Sequence, residues 1–241
     1  HIRMPSVGEV GQKGLLNARV LVVGMGGLGS PAALYLAAAG VGCLGVVDDD
    51  RVERSNLQRQ VIHGEDSLGR LKVDSAQCRL NTLNPTVEVV AHGARLDLDN
   101  VDELVSAYDL VVDGTDNFTT RYILSDACVR HRRPYIYGSV FQFEGEVGVF
   151  CADLKGNPLP CYRCLHPVET PAELAPSCAE AGVLGVLPGI VGLFQALEVL
   201  KLILGVGEPL TGRLLHYDAS TCRFHGVSVP FVDHCSGCEG G

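Results

Sequence analysis

Between residues 19 and 30 the chain runs Arg-Val-Leu-Val-Val, then Gly24-Met-Gly26-Gly27-Leu-Gly29-Ser30, then an alanine-rich stretch. A short β-branched run followed at once by G-x-G-x-x-G admits few folds: a buried strand, a sharp turn, and a helix that starts at the turn. In such a loop the first glycine permits the turn, the second lets backbone approach a phosphate, and the third lets helix pack on strand. The helix N-terminus then offers unpaired N–H groups and the positive end of its dipole. Gly24, Gly26, Gly27 and Gly29 are therefore candidate phosphate-binding residues. Asp48 closes the next apolar run about 20 residues on, where a carboxylate can accept both ribose hydroxyls. The loop lacks the Gly-Lys-Ser/Thr ending of a Walker motif, and taken alone it points to a dinucleotide-binding oxidoreductase.

Periodicity extends the pattern. Strands are expected over 19–23, 43–47, 86–91, 109–113 and 135–140, alternating with helices over 28–39, 72–83, 101–106 and 117–131. This rhythm predicts an α/β, Rossmann-like fold, a mostly parallel sheet flanked by helices, with residues 1–144 as a nucleotide-binding half. Beyond Glu144 the texture changes to a Cys/Pro/Gly-rich segment, Cys151 to Ser177. An apolar run from Val183 to Gly205 follows, then two strands over 213–217 and 222–229 forming a C-terminal antiparallel extension. Residues 145–241 read as a cysteine-bearing half of the same single domain, 1–241. The apolar run contains Gln195, Glu198 and Lys201, and a charge at mid-membrane costs about 2.5–3.5 kcal/mol, so a buried helix is expected rather than a span. With 28 Asp+Glu against 19 Lys+Arg and a net charge of -9, the chain lacks the positive field that sequence-independent nucleic-acid or anionic-membrane binding requires. No apolar leader opens it at His1 to Pro5, which predicts a reducing, cytoplasmic setting.

Past Asp48 comes Ser55-Asn56-Leu57-Gln58-Arg59-Gln60, and Lys72 opens the following helix. Two cations converging on phosphates suit a triphosphate under attack better than a dinucleotide that only has to be held. Lys72 could equally be a surface residue. Asp116, in Gly114-Thr115-Asp116-Asn117 after the 109–113 strand, can hold Mg²⁺ or cap the next helix. Cys161-Tyr-Arg-Cys164 and Cys235-Ser-Gly-Cys238 supply four thiolates, enough for a closed tetrahedral zinc site. Their separation exceeds the ribbon spacing of about 15–20 residues, so redox dithiols and plain structural thiols stay open. Cys43, Cys78, Cys128, Cys151 and Cys222 read as small core residues.

In chain order, Gly-x-Gly-Gly-x-Gly, Asp48-Asp-Asp50, Ser-Asn-Leu-Gln-Arg-Gln, Lys72, Thr-Asp-Asn, Cys-Tyr-Arg-Cys and the terminal Cys-x-x-Cys resemble the ThiF/MoeB adenylyltransferases, relatives of ubiquitin-activating enzymes. The resemblance implies ATP-dependent adenylation of the C-terminal glycine of a ubiquitin-like sulfur carrier ending in Gly-Gly, with release of pyrophosphate, for molybdopterin, thiamin or thio-tRNA synthesis. It places Gly27, Asp48, Ser55 to Arg59, Lys72, Asp116 and Asn117 around ATP, Mg²⁺ near Asp116, and zinc on Cys161, Cys164, Cys235 and Cys238. Arg59, Lys72 and Asp116 are then catalytic. Cys178 corresponds to a cysteine that some branches link covalently to the carrier and others dispense with. A homodimer is implied, and in some relatives a C-terminal sulfurtransferase domain, for which the final Gly240-Gly241 would begin a linker. The family's N-terminal Arg-Tyr-x-Arg element would lie before His1, and Arg3 does not match it. Two competing readings are an NAD-dependent oxidoreductase and a non-enzymatic, zinc-stapled nucleotide sensor.

Overall fold

The computed structural model describes residues 1–151, 159–168 and 182–238; Cys178 and Gly240-Gly241 lie outside them. Arg19–Val23 (β1), Cys43–Val47 (β2), Glu88–His92 (β3), Leu110–Asp113 (β4) and Tyr135–Phe141 (β5) pair in parallel in the order β3-β2-β1-β4-β5. The sheet continues antiparallel through Glu144–Phe150 (β6), Arg213–Asp218 (β7) and Arg223–Ser228 (β8). The expected parallel sheet with an antiparallel extension is thus observed as eight continuous strands. Strand order reverses between β1 and β4, the switch point where open α/β sheets hold ligands beyond the strand C-termini.

Alternation along β1 divides the core. Val20 and Val22 pack with Gly29–Ala39 (α2), Lys72–Leu83 (α3) and Leu187–Leu204 (α7) on one face of the sheet. Leu21 and Val23 pack with Val101–Ser106 (α4), Phe118–His131 (α5) and Tyr162–Leu165 (α6) on the other. Burial on both faces is why these strands read as unbroken apolar runs. Helix α7 is long and apolar enough to span a membrane by length and composition, but its buried Gln195 and Glu198 make hydrogen bonds inside the protein. Gln195 Nε2 donates to the carbonyls of Asp113 (2.6 Å) and Ile136 (3.1 Å), and Glu198 Oε2 accepts the Leu210 N–H at 2.7 Å.

The structure departs from the sequence reading in four places. Gly8–Asn17 forms a helix (α1) whose glycines and polar residues gave little periodic signal. Strand β6 was not expected, because Gly145, Gly148 and two glutamates dilute its apolar face. Residues 183–186 precede α7 rather than beginning it, and Val183 bridges Gln142. Cys78 and Cys222 are exposed, not core: Cys78 sits on the outer side of α3, and Cys222 occupies the β7–β8 turn with φ 54°.

Candidate nucleotide site and thiolate centre

The C-terminal ends of β1, β2 and β4 surround a cavity of about 350 Å³. Its wall includes Gly24, Gly26 and Gly27 with Asp48, Arg59, Lys72, Asp116 and Asn117. Gly24 turns with φ +88°, and a Cβ on Gly29 would lie 1.8 Å from the Gly24 carbonyl oxygen. Close packing of turn on helix therefore demands glycine at both positions.

Asp48 organises this loop from the neighbouring strand. Its Oδ2 accepts the Met25 N–H at 2.7 Å and its Oδ1 the Asp50 N–H at 2.9 Å. Burial pushes its pKa up, while Lys72 and these two N–H groups pull the other way. Lys72 is not a surface residue. Its side chain is 7% exposed, and Nζ donates to Asp50 Oδ2 at 2.7 Å and lies 3.7 Å from Asp48. Asp50 is largely exposed, so a phosphate entering the cavity can replace it as the partner of Lys72 at little cost in buried contacts.

The polar run from Ser55 to Gln60 divides its labour. Arg59 and Gln60 reach the cavity wall, while Asn56 Oδ1 accepts from Arg59 Nη2 at 2.9 Å and so sets its direction. The Ser55 hydroxyl reaches Glu53 at 3.4 Å, Leu57 is half-buried behind a short 3₁₀ turn, and Gln58 packs against Gly185. At the end of β4 the helix-capping alternative falls to Asn117, whose Oδ1 accepts the Thr120 N–H at 2.9 Å. Asp116 is exposed beside it on the cavity wall, a hard oxygen donor of the kind Mg²⁺ takes.

Sequence reasoning missed Arg121. This buried cation also lines the cavity, with Nη2 donating to the Thr115 carbonyl at 2.9 Å and Nε 3.8 Å from the fully buried Asp113. Tyr135 donates to the same carboxylate. The i, i+4 spacing of Asn117 and Arg121 on one helix was the available signal.

The four cysteines converge about 74 residues apart in sequence. Sγ atoms of Cys161 and Cys164 are 4.0 Å apart, Cys161 and Cys235 3.6 Å, and Cys164 and Cys238 3.7 Å. A tetrahedron of Zn–S bonds of about 2.3 Å has S···S edges of about 3.8 Å. The thiolates therefore fit a closed four-sulfur metal site, and the separations exclude disulfides among them. The residues between Cys161 and Cys164 fix this centre to α5. Tyr162 N–H donates to Ser125 Oγ at 3.1 Å, and Arg163 forks onto Asp126 at 2.9 and 2.8 Å.

A glycine-loop cavity at the switch point of a Rossmann-like sheet, beside a four-thiolate centre, defines a nucleotide-binding α/β protein of the activating-enzyme kind. The chain belongs to the ThiF family, whose pattern it matches over residues 1–237. It is 50% identical to the sulfur carrier protein adenylyltransferase of Thermus thermophilus, over 98% of this chain and 87% of that protein. It is 51% identical to the SAMP-activating enzyme E1 of Haloferax volcanii, over 100% of this chain and 88% of that protein. Against the probable adenylyltransferase/sulfurtransferase MoeZ of Mycobacterium tuberculosis it is 48% identical over 95% of its own length, but it spans only 58% of that relative. The crystal structure of E. coli MccB with ATP shares the fold, with TM-score 0.81 and 24% identity over 94% of this chain and 68% of that one.

Proposed function

We infer that the chain is an adenylyltransferase that uses ATP to activate the C-terminal glycine of a small ubiquitin-like sulfur carrier ending in Gly-Gly. The observation that carries this reading is the pair of cations, Arg59 and Lys72, sharing one cavity with the glycine loop and Asp48. In the reaction a carboxylate oxygen of the carrier attacks the α-phosphorus of ATP. The bond to the β-phosphate oxygen breaks, pyrophosphate leaves with the electron pair, and an acyl-adenylate remains. A carboxylate needs no deprotonation, so no general base is required. The barrier is the approach of one anion to another, and preorganised cations aimed at the developing charge lower it. Arg59 and Lys72 serve that purpose, while Asp48 receives the ribose hydroxyls. Mg²⁺, when bound, neutralises phosphate charge, and Asp116 is the residue that would hold it.

Zinc on Cys161, Cys164, Cys235 and Cys238 would be structural, since four protein ligands leave no open position. The family resemblance supports a covalent role for Cys178, whose thiolate would attack the acyl-adenylate carbonyl and form a thioester with loss of AMP. Family membership supports a homodimer and a cytoplasmic setting, and the longer relatives named as sulfurtransferases support cooperation with such a domain. A dinucleotide oxidoreductase, which the glycine loop alone would permit, has no support from the relatives.

The test is ATP–pyrophosphate exchange with and without a small carrier ending in Gly-Gly. Exchange that requires the carrier is expected. Binding of NAD(H) with no exchange would overturn the reading.

A further inference from the structure

His63 stands three residues beyond the polar run and belongs to none of the expected site residues. It is 8% exposed and lies behind the glycine loop rather than in the cavity. Its Nε2 is 2.9 Å from the Met25 carbonyl oxygen and its Nδ1 2.9 Å from Ser75 Oγ. A carbonyl oxygen only accepts, so Nε2 carries the proton, and Nδ1 accepts from the Ser75 hydroxyl. Its own backbone N–H donates to the Gln60 carbonyl at 3.1 Å.

These contacts join the three elements that face the phosphates. Met25 lies between Gly24 and Gly26, and both peptide groups flanking it are held, the Gly24–Met25 N–H by Asp48 and the Met25–Gly26 carbonyl by His63. Ser75 sits one turn beyond Lys72 on α3, and Gln60 ends the run that presents Arg59. The Met25 carbonyl points into the protein towards the imidazole, which fixes the plane of the loop on which the Gly26 and Gly27 N–H groups depend. We propose that His63 is a positioning residue that sets the glycine loop, Arg59 and Lys72 in register for the phosphates. This rests on reading the cavity as a nucleoside-triphosphate site. Burial and the nearby Lys72 hold His63 neutral, against the pull of Asp48 and the Met25 carbonyl, and the neutral ring is the form in which Nδ1 accepts.

The experiment is equilibrium binding of ATP and of adenosine to the full chain and to His63→Ala, His63→Gln and Ser75→Ala, with thermal denaturation of each. Loss of the Met25 contact is expected to weaken ATP about tenfold while adenosine changes less than about twofold, since only the phosphate cradle shifts. Gln can restore a donor to the carbonyl and should recover ATP affinity to within about threefold of the parent. Ser75→Ala, which keeps the imidazole, should weaken ATP by about threefold in the same selective way, and it tests the proposal even where His63→Ala does not fold. Unchanged ATP affinity in folded His63→Ala and Ser75→Ala would overturn the assignment, as would an equal loss for ATP and adenosine. A parent chain that binds no ATP would instead overturn the nucleotide reading on which the proposal rests.

Discussion

Lys72 and Arg59 bring the same charge to the cavity from different surroundings, and their replacement should separate catalysis from stability. Lys72 is enclosed with Asp48 and Asp50, so Lys72→Ala removes the cation proposed to meet the phosphates and also leaves Asp48 buried without its partner. Arg59 is half-buried and donates a hydrogen bond to Asn56. Each alanine variant should slow pyrophosphate exchange by about 10²- to 10³-fold. Only Lys72→Ala should also lose stability, by about 1–3 kcal/mol in thermal or urea unfolding. Near-parental exchange in a folded variant would remove that residue from the mechanism. The glycines and Asp48 were legible in the sequence because the turn is a local constraint with a fixed spacing. His63 and Arg121 were not, since what defines them is contact across the fold: His63 meets Met25 38 residues away, and Arg121 answers a carboxylate buried at the end of β4.

At the scale of elements, the central parallel strands β1, β2 and β4 were legible because burial on both faces leaves them uninterrupted, whereas β6 and α1 carry too many glycines and charges to announce themselves. Helix α6 is four residues long, far below the length at which a helix is stable alone, and its order comes from α5 and from the thiolates. Tyr162 packs against Tyr122 at 5.0 Å and Tyr137 at 5.4 Å between ring centroids. With zinc on the four thiolates as proposed, its chelation should therefore release α6 and the 235–238 turn first, exposing amides there to hydrogen exchange while β1 to β4 stay protected. Loss of protection throughout the sheet would show instead that the metal holds the whole fold. A second element-scale effect follows from His63, which links the glycine loop to α3, and His92, which ends β3 against the Tyr108 hydroxyl at 3.0 Å. Burial lowers the pKa of both. As pH falls through about 6.5 the unfolded chain takes up these protons before the folded one does, so stability should decline from pH 7 towards pH 5. Unfolding midpoints across that range, with His63→Gln as the control, should show a shallower decline in the variant.

Across the whole molecule the two halves of the sheet, parallel and antiparallel, end in different surroundings. The parallel half ends at the nucleotide cavity, and the cavity wall continues through Val140, Val183 and Pro188 towards an apolar cluster that includes Val147, Leu187, Val191 and Tyr217. At the edge of that cluster Phe224 stacks on Tyr217 at 4.5 Å and meets Phe194 edge-on at 5.7 Å, yet remains 51% exposed. On the proposed function, an extended Gly-Gly tail would reach the α-phosphate while the body of its carrier stays outside, and this exposed apolar surface is the ground on which we propose that the carrier sits. A carrier seated there would bury Phe224, an aromatic residue of the kind that anchors protein interfaces. Phe224→Asp should raise the KM for the carrier about 30-fold, the equivalent of a hot-spot loss of about 2 kcal/mol. Its affinity for ATP should be unchanged, because the Phe224 ring is not part of the nucleotide wall. Exchange kinetics at varied carrier concentration, beside direct ATP binding, separate the outcomes. A rise in carrier KM alone locates the carrier on β7 and β8, while an unchanged KM places it elsewhere. Weakened ATP binding would mean that the antiparallel half supports the nucleotide cavity itself.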